Sequence, residues 1–224
     1  MRCLLCRQQV LRNPPLDQLL SFRPLALSPL CQQCAARFRR IDERHVCPDC
    51  GRQNDGAQCR DCLRWAKMGV SSLHHRGLFV YDDAMKQLIE NYKGIGDYHL
   101  RRCFAAEIAG LRQIRAAFVP LTSEPAHYRE RGFDPVLGLF DVLPLHLWLE
   151  KSATDKPQAK KNRAARMLTP QSFTCTCSKV HMNRYRRVCL LDDLYTTGRT
   201  LHHAAAAMRA GGYAGEIVSR SLIR

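Results

Sequence analysis

Two adjacent carboxylates, Asp192 and Asp193, stand between an apolar run and a short hydroxyl-rich loop. Tyr195 leads into that loop, Thr196-Thr197-Gly198-Arg199-Thr200. A carboxylate pair can accept hydrogen bonds from the vicinal hydroxyls of a sugar, and it can hold Mg²⁺ directly or through water. The loop offers backbone N–H groups, threonine hydroxyls and one guanidinium around a single point. Together they read as an anion site beside an acid pair, and a phosphate monoester fits it.

These groups need elements to position them. Residues 188–191, Val-Cys-Leu-Leu, form a continuous apolar run without alternation, which predicts a strand buried on both faces of a parallel sheet. The acids then fall at its carboxyl end, where open α/β sheets place their ligands. After the loop, Leu201, Ala204, Ala205 and Met208 recur at helical spacing, and Gly211-Gly212 supplies a stop. The positive end of that helix would face the anion. An ordinary strand-to-helix turn with capping aspartates is the plain alternative. A Walker B strand is another, but its partner loop, Gly-x-x-x-x-Gly-Lys-Ser/Thr, occurs nowhere in the 224 residues. Residues 188–200 resemble the binding motif for 5-phosphoribosyl-1-pyrophosphate (PRPP) in type I phosphoribosyltransferases. The resemblance implies that Asp192 and Asp193 hold the ribose hydroxyls and that residues 196–200 hold the 5′-phosphate, with Mg²⁺ accompanying PRPP.

A second signal lies in the amino-terminal third. Of twelve cysteines, eight form Cys-x-x-Cys pairs: Cys3/Cys6, Cys31/Cys34, Cys47/Cys50 and Cys59/Cys62. Two-residue spacing lets both thiolates of a knuckle reach one tetrahedral ion, so the four pairs predict two structural Zn²⁺ sites with no position left for water. A disulfide framework and a redox Cys-x-x-Cys are the competing readings. The start at Met-Arg-Cys, without a signal peptide, and the abundance of thiols argue for zinc and a cytoplasmic location. Sequential pairing into two stacked ribbons is the expectation, although cross-bracing of Cys3/Cys6 with Cys47/Cys50 also satisfies the spacing. Cys103 and Cys189 read as small buried hydrophobes, and the Cys175/Cys177 spacing is unsuited to joint ligation.

Setting aside residues 1–70 as a double zinc ribbon leaves 71–224, a common size for one domain with its own core. No apolar run approaches the roughly 20 residues of a membrane span. The net charge of +15 is uneven, and residues 151–187 alone carry +9. Binding two zinc ions through eight thiolates lowers the +6 of residues 1–70 to about +2, so the positive centre is the later stretch. Lys156, Lys160, Lys161, Arg163 and Arg166 lie there almost without acids. Such a loop can bind a nucleic-acid backbone or a polyphosphate, or it can simply be solvated.

Strands are expected at 77–81, 116–121, 145–149, 188–191 and 216–222, the last closing the sheet, with helices at 83–93, 99–115, 136–142 and 201–210. Residues 93–97 read as a turn. Alternating elements of this kind predict a mostly parallel α/β sheet. The adjacent pairs His74/His75 and His202/His203 read as surface positions rather than ligands.

With the knuckles, Gly77-Leu-Phe-Val-Tyr81, Lys93-Gly94-x-Gly96-Asp97, Val119-Pro120-Leu121, Arg129-Glu130-Arg131-Gly132-Phe133, Pro157-Gln158, Arg166, Phe173 and residues 188–200, the whole chain resembles ComF-type competence proteins. The resemblance implies a type I phosphoribosyltransferase-like fold behind the zinc ribbons. It also implies a bacterial factor for natural transformation, working with a DNA-uptake helicase, a recombination mediator and incoming single-stranded DNA. Lys93, Arg129, Arg131, Thr122 and Ser123 would face the pyrophosphate. Three features depart from the family pattern: Asp134-Pro135 follows Arg-Gly-Phe where Asn-Gln is usual, the Asn expected shortly after Arg166 is not evident near Leu168 and Thr169, and the loop after Val119-Pro120 reads Thr122-Ser123-Glu124. An active phosphoribosyltransferase on a nucleobase-like acceptor is the alternative function.

Overall fold

The computed structural model describes residues 1–10, 16, 20, 28–151 and 173–224. The basic residues Lys156, Lys160, Lys161, Arg163 and Arg166 lie outside this set. Four strands, β1 (Arg76–Phe79), β2 (Ala117–Pro120), β5 (Arg187–Leu194) and β6 (Glu216–Ile223), form one sheet in the order β1-β6-β5-β2, with every pair parallel. A separate antiparallel pair joins β3 (Leu149–Lys151) to β4 (Phe173–Cys175). The α/β expectation is met, with one correction. β6 does not close the sheet: it pairs with both β1 and β5 and lies inside it. Its sequence contains Val218, Leu222 and Ile223 on a background of buried serines, the composition of a strand covered on both sides.

β5 carries the same logic further. Val188 and Leu190 point into a core with helix α8 (Arg199–Ala210), whereas Cys189 and Leu191 point into another with Phe118, Phe140 and Ile108. The apolar run is therefore continuous because each alternate residue serves a different face. Cys189 and Cys103 are buried and act as small hydrophobes, as expected.

The cysteine groups follow this division. Cys3 and Cys34 join the core of Cys189 and Leu191, beside Leu30, Phe38, Phe79 and Phe104. Cys47, Cys50, Cys59 and Cys62 join the core of Val188 and α8, beside Leu73 and Leu201. Instead of sharing a core with each other, as stacked ribbons would, the two groups cover opposite faces of the sheet. Short helices accompany them: α1 (Gln32–Ala35) carries Cys34, and α2 (Arg60–Lys67) starts after Cys59 and carries Cys62.

Other elements depart from the periodicity. The helix expected over 83–93 is α3 (Asp83–Ile89), capped by Asp82 and continued as a π-helical turn, Glu90–Ile95. The helix expected over 99–115 is broken into a 3₁₀ turn, Tyr98–Arg102, then α4 (Ala105–Ala109), then a second 3₁₀ turn, Gly110–Ile114. Phe104 leaves helical geometry so that its ring can pack against Phe38 and Phe79, and Arg115 ends the run in the left-handed region. Helix α5 (Pro125–Arg131) was not foreseen, yet it starts with proline and ends at Gly132 with φ +76°. It precedes α6 (Pro135–Phe140), and α7 (Lys179–Met182) leads into β5. The strand expected over 145–149 starts only at Leu149, with one bridge from Leu145 to Phe118 before it.

Candidate functional site

Asp192 and Asp193 occupy the end of β5, as the apolar run requires, and the chain then turns through Tyr195 to Gly198 into α8. Gly198 has φ +79°, and a Cβ there would run into the Tyr195 ring. Only glycine accommodates both demands. Thr197 is buried, whereas Thr196 and Thr200 are exposed. Among the described residues no side chain caps the start of α8, which leaves its first N–H groups available to an anion. Arg199 begins the helix with Nε and Nη1 buried and without a hydrogen-bond partner among the described residues.

Lys93 reaches the acid pair. Its position in the π-helical turn is fixed by the neighbouring Tyr92, which is fully buried and donates its hydroxyl to the Pro135 carbonyl at 2.9 Å. A π turn inside a helix is a frequent device at functional sites. The Lys93 ammonium pairs with the Asp193 carboxylate, which is only 6 % exposed. Asp192 turns its own carboxylate onto the Asp193 N–H at 2.9 Å.

Burial governs the electrostatics. It pushes the Asp192 carboxyl up to about 7, against the opposing pull of Lys93 and Lys151 and with a further push from Asp134. Burial also lowers Lys93 to about 8, with Asp192 raising it and Arg131 lowering it. The strand end is thus a poorly solvated acid pair with a lysine beside it, in which burial draws Asp192 and Lys93 toward their neutral forms.

The loop after β2 lies alongside, because Pro120 is in register with Leu191 and the Leu121 N–H donates to the Leu191 carbonyl at 2.9 Å. Thr122 and Ser123 are half-buried there. The Ser123 N–H donates to Asp134 Oδ2 at 2.6 Å, and Asp134 Oδ1 caps α6 by accepting from the Leu137 N–H at 2.9 Å. The aspartate that departs from the family pattern therefore ties this loop to a helix. Glu124, in another departing segment, is buried and paired with Lys151 Nζ at 3.5 Å. Of the two arginines expected here, Arg131 is half-buried and within electrostatic reach of Lys93, while Arg129 is exposed on α5. Lys151 had not been singled out in the sequence. Only its membership of the basic stretch hinted at it.

The cysteine groups form as the sequential pairing requires. In each of the two sets, Cys3/Cys6/Cys31/Cys34 and Cys47/Cys50/Cys59/Cys62, all four sulfurs lie within 4.8 Å of one another. The Sγ–Sγ separations are 3.7 Å for Cys6 and Cys31, 3.7 Å for Cys47 and Cys62, and 3.6 Å for Cys50 and Cys59. Four sulfurs at about 2.3 Å from a tetrahedral zinc are about 3.8 Å apart, so both sets fit the ion. Contact with Cys62, then the charge of Arg224, holds the Cys50 thiol down at about 4.

The histidine reading needs correction. His75 is fully buried, bridging Ser219 Oγ at 3.0 Å and Ser221 Oγ at 3.1 Å, with its ring on Tyr195 at 4.2 Å. His202 is buried against Trp65. Both are core residues rather than surface ones, because aromatic neighbours distant in sequence receive their rings.

No family model matches the chain. Two curated relatives do. The competence protein ComFC of Streptococcus pneumoniae is 32% identical over 234 residues, covering all of both chains. That of Bacillus subtilis is 32% identical, covering 99% of this chain and 94% of its own. This chain belongs to the ComFC family. The alignment with the Streptococcus pneumoniae protein covers this chain in full, so the segments that hold both cysteine groups and the acid pair lie within it. Among the described residues no helix is long and apolar enough to cross a membrane.

Proposed function

We propose that this ComFC-family protein serves natural transformation and that the turn from β5 to α8 binds PRPP with Mg²⁺. The observation that carries the reading is the meeting of Asp192 and Asp193 with an uncapped helix start across a glycine-demanding turn. Two nitrogens of Arg199 without a hydrogen-bond partner among the described residues lie at the same helix start, and an oxyanion is the kind of partner such a group takes. The acids would hold ribose hydroxyls, residues 196–200 the 5′-phosphate, and Lys93, Arg131, Thr122 and Ser123 the pyrophosphate side, with Arg129 at its rim. When bound, Mg²⁺ would screen the pyrophosphate charge that the acid pair otherwise repels.

The two zinc centres are read as structural, with the surfaces around them available for docking a DNA-uptake helicase and a recombination mediator. Single-stranded DNA would be met by the basic stretch 156–166. Glu124, whose negative charge would repel pyrophosphate, is compensated by Lys151. Transfer to an acceptor base therefore stands as the second reading.

Calorimetric titration of Mg²⁺-PRPP into zinc-loaded protein tests the pocket. Wild type should bind, and Asp192→Asn/Asp193→Asn should abolish the heat. Silence from folded wild type would refute the pocket. Release of pyrophosphate with some acceptor base would favour the transferase reading.

A further inference from the structure

A loop that turns its N–H groups toward a phosphate must have its carbonyl groups satisfied from behind. In this protein the backing comes from one place. The Thr197 carbonyl accepts from the Trp65 indole Nε1 at 2.9 Å in a buried contact. The Tyr195 and Thr196 carbonyls accept from Arg224 Nη1 at 3.3 and 3.5 Å.

Both donors are anchored in the 47–62 cysteine group. Trp65 is on α2, three residues after Cys62, and its ring also packs on His202 in α8 at 4.6 Å. Arg224 donates through Nε to the Cys50 carbonyl and through Nη2 to Cys50 Sγ, both at 2.8 Å. Its guanidinium covers the Tyr195 ring at 4.3 Å. The 3–34 group joins the core on the other face of the sheet and provides an internal control.

We infer that Trp65 and Arg224 are positioning residues that pass the order of the 47–62 cysteine centre to the phosphate loop. A metal at that centre fixes Cys50 and the start of α2, and through them it fixes the backs of residues 195–197. Loss of the metal frees those carbonyls and with them the direction of the N–H groups. The inference rests on reading residues 196–200 as a phosphate loop, and its test separates the two ideas.

The experiment is amide hydrogen exchange of the full-length, zinc-loaded, ligand-free protein, followed by titration with Mg²⁺-PRPP. Trp65→Phe keeps the ring but removes the donor, and Arg224→Gln removes the fork. Each should speed exchange of residues 195–200 about tenfold and weaken PRPP about tenfold, the worth of one well-made hydrogen bond. Cys59→Ser/Cys62→Ser should do so more strongly than Cys31→Ser/Cys34→Ser, which should leave loop exchange within about twofold. Should the cysteine variants fail to fold, the two conservative variants still decide. Wild-type exchange rates and wild-type PRPP affinity in both Trp65→Phe and Arg224→Gln would overturn the inference and leave the pocket intact. Faster loop exchange in a protein that never binds PRPP would uphold the backing and sink the pocket.

Discussion

Asp192 is held in a state that costs the fold something. Its carboxyl sits at about 7 against an ordinary 3.8, chiefly because burial disfavours the charge. Between those values the folded protein keeps a proton that the unfolded chain has lost. Stability therefore falls as pH rises through this window, and the full penalty applies above about 7. Asp192→Asn has no charge to bury. Its melting temperature should exceed that of wild type by several degrees at pH 8, and the gap should close as pH falls toward 4. A variant that is no more stable than wild type at pH 8 would show that Lys93 and Lys151 already offset the burial. A cost of this kind is one that functional sites often carry.

At the scale of elements, the turn from β5 into α8 is tightly constrained. Gly198→Ala must adopt φ near +79° and push the Tyr195 ring aside. We expect a loss of about 1–3 kcal/mol in denaturant unfolding together with weaker PRPP binding. This turn was also the most legible part of the sequence, because an unbroken apolar run, an acid pair, a hydroxyl loop and a helical repeat all agree on one local structure. The cysteine pairing was legible for a similar reason: knuckle spacing is a local constraint. Legibility failed where distant residues decide. Phe104 interrupts its helix to reach Phe38 and Phe79. Nothing near His75 announces that Ser219 and Ser221 will receive its ring. Trp65 meets the loop from 132 residues away and Arg224 from 29, with no motif to mark either. Helix α5 differs, since Pro125 and Gly132 marked both of its ends and the polar residues between them masked the signal.

For the whole molecule, each face of the sheet is completed by one cysteine group. Metal content should therefore measure the integrity of both cores. Elemental analysis should find two zinc ions per chain, falling to one in Cys31→Ser/Cys34→Ser or in Cys59→Ser/Cys62→Ser, and each variant should melt at a lower temperature than wild type. Equal melting temperatures with and without chelator would mean that the two faces hold without the ions. The departures at Asp134 and Glu124 also make sense at this scale, since one joins the β2 loop to α6 and the other meets Lys151 of β3.

The interior place of β6 governs how the molecule comes into being. Arg76 of β1 has its register partner at Arg220, and β5 meets the same strand through Val188 and Ile217. During synthesis β1 must wait, unpaired on that side, until nearly all of the described chain has been made. Assembly therefore depends on contacts remote in sequence, a topology that slows folding and leaves apolar strand surface uncovered meanwhile. The step that joins β1 to the rest of the sheet is thus a late one, and recovery after dilution from denaturant should be slow and sensitive to protein concentration.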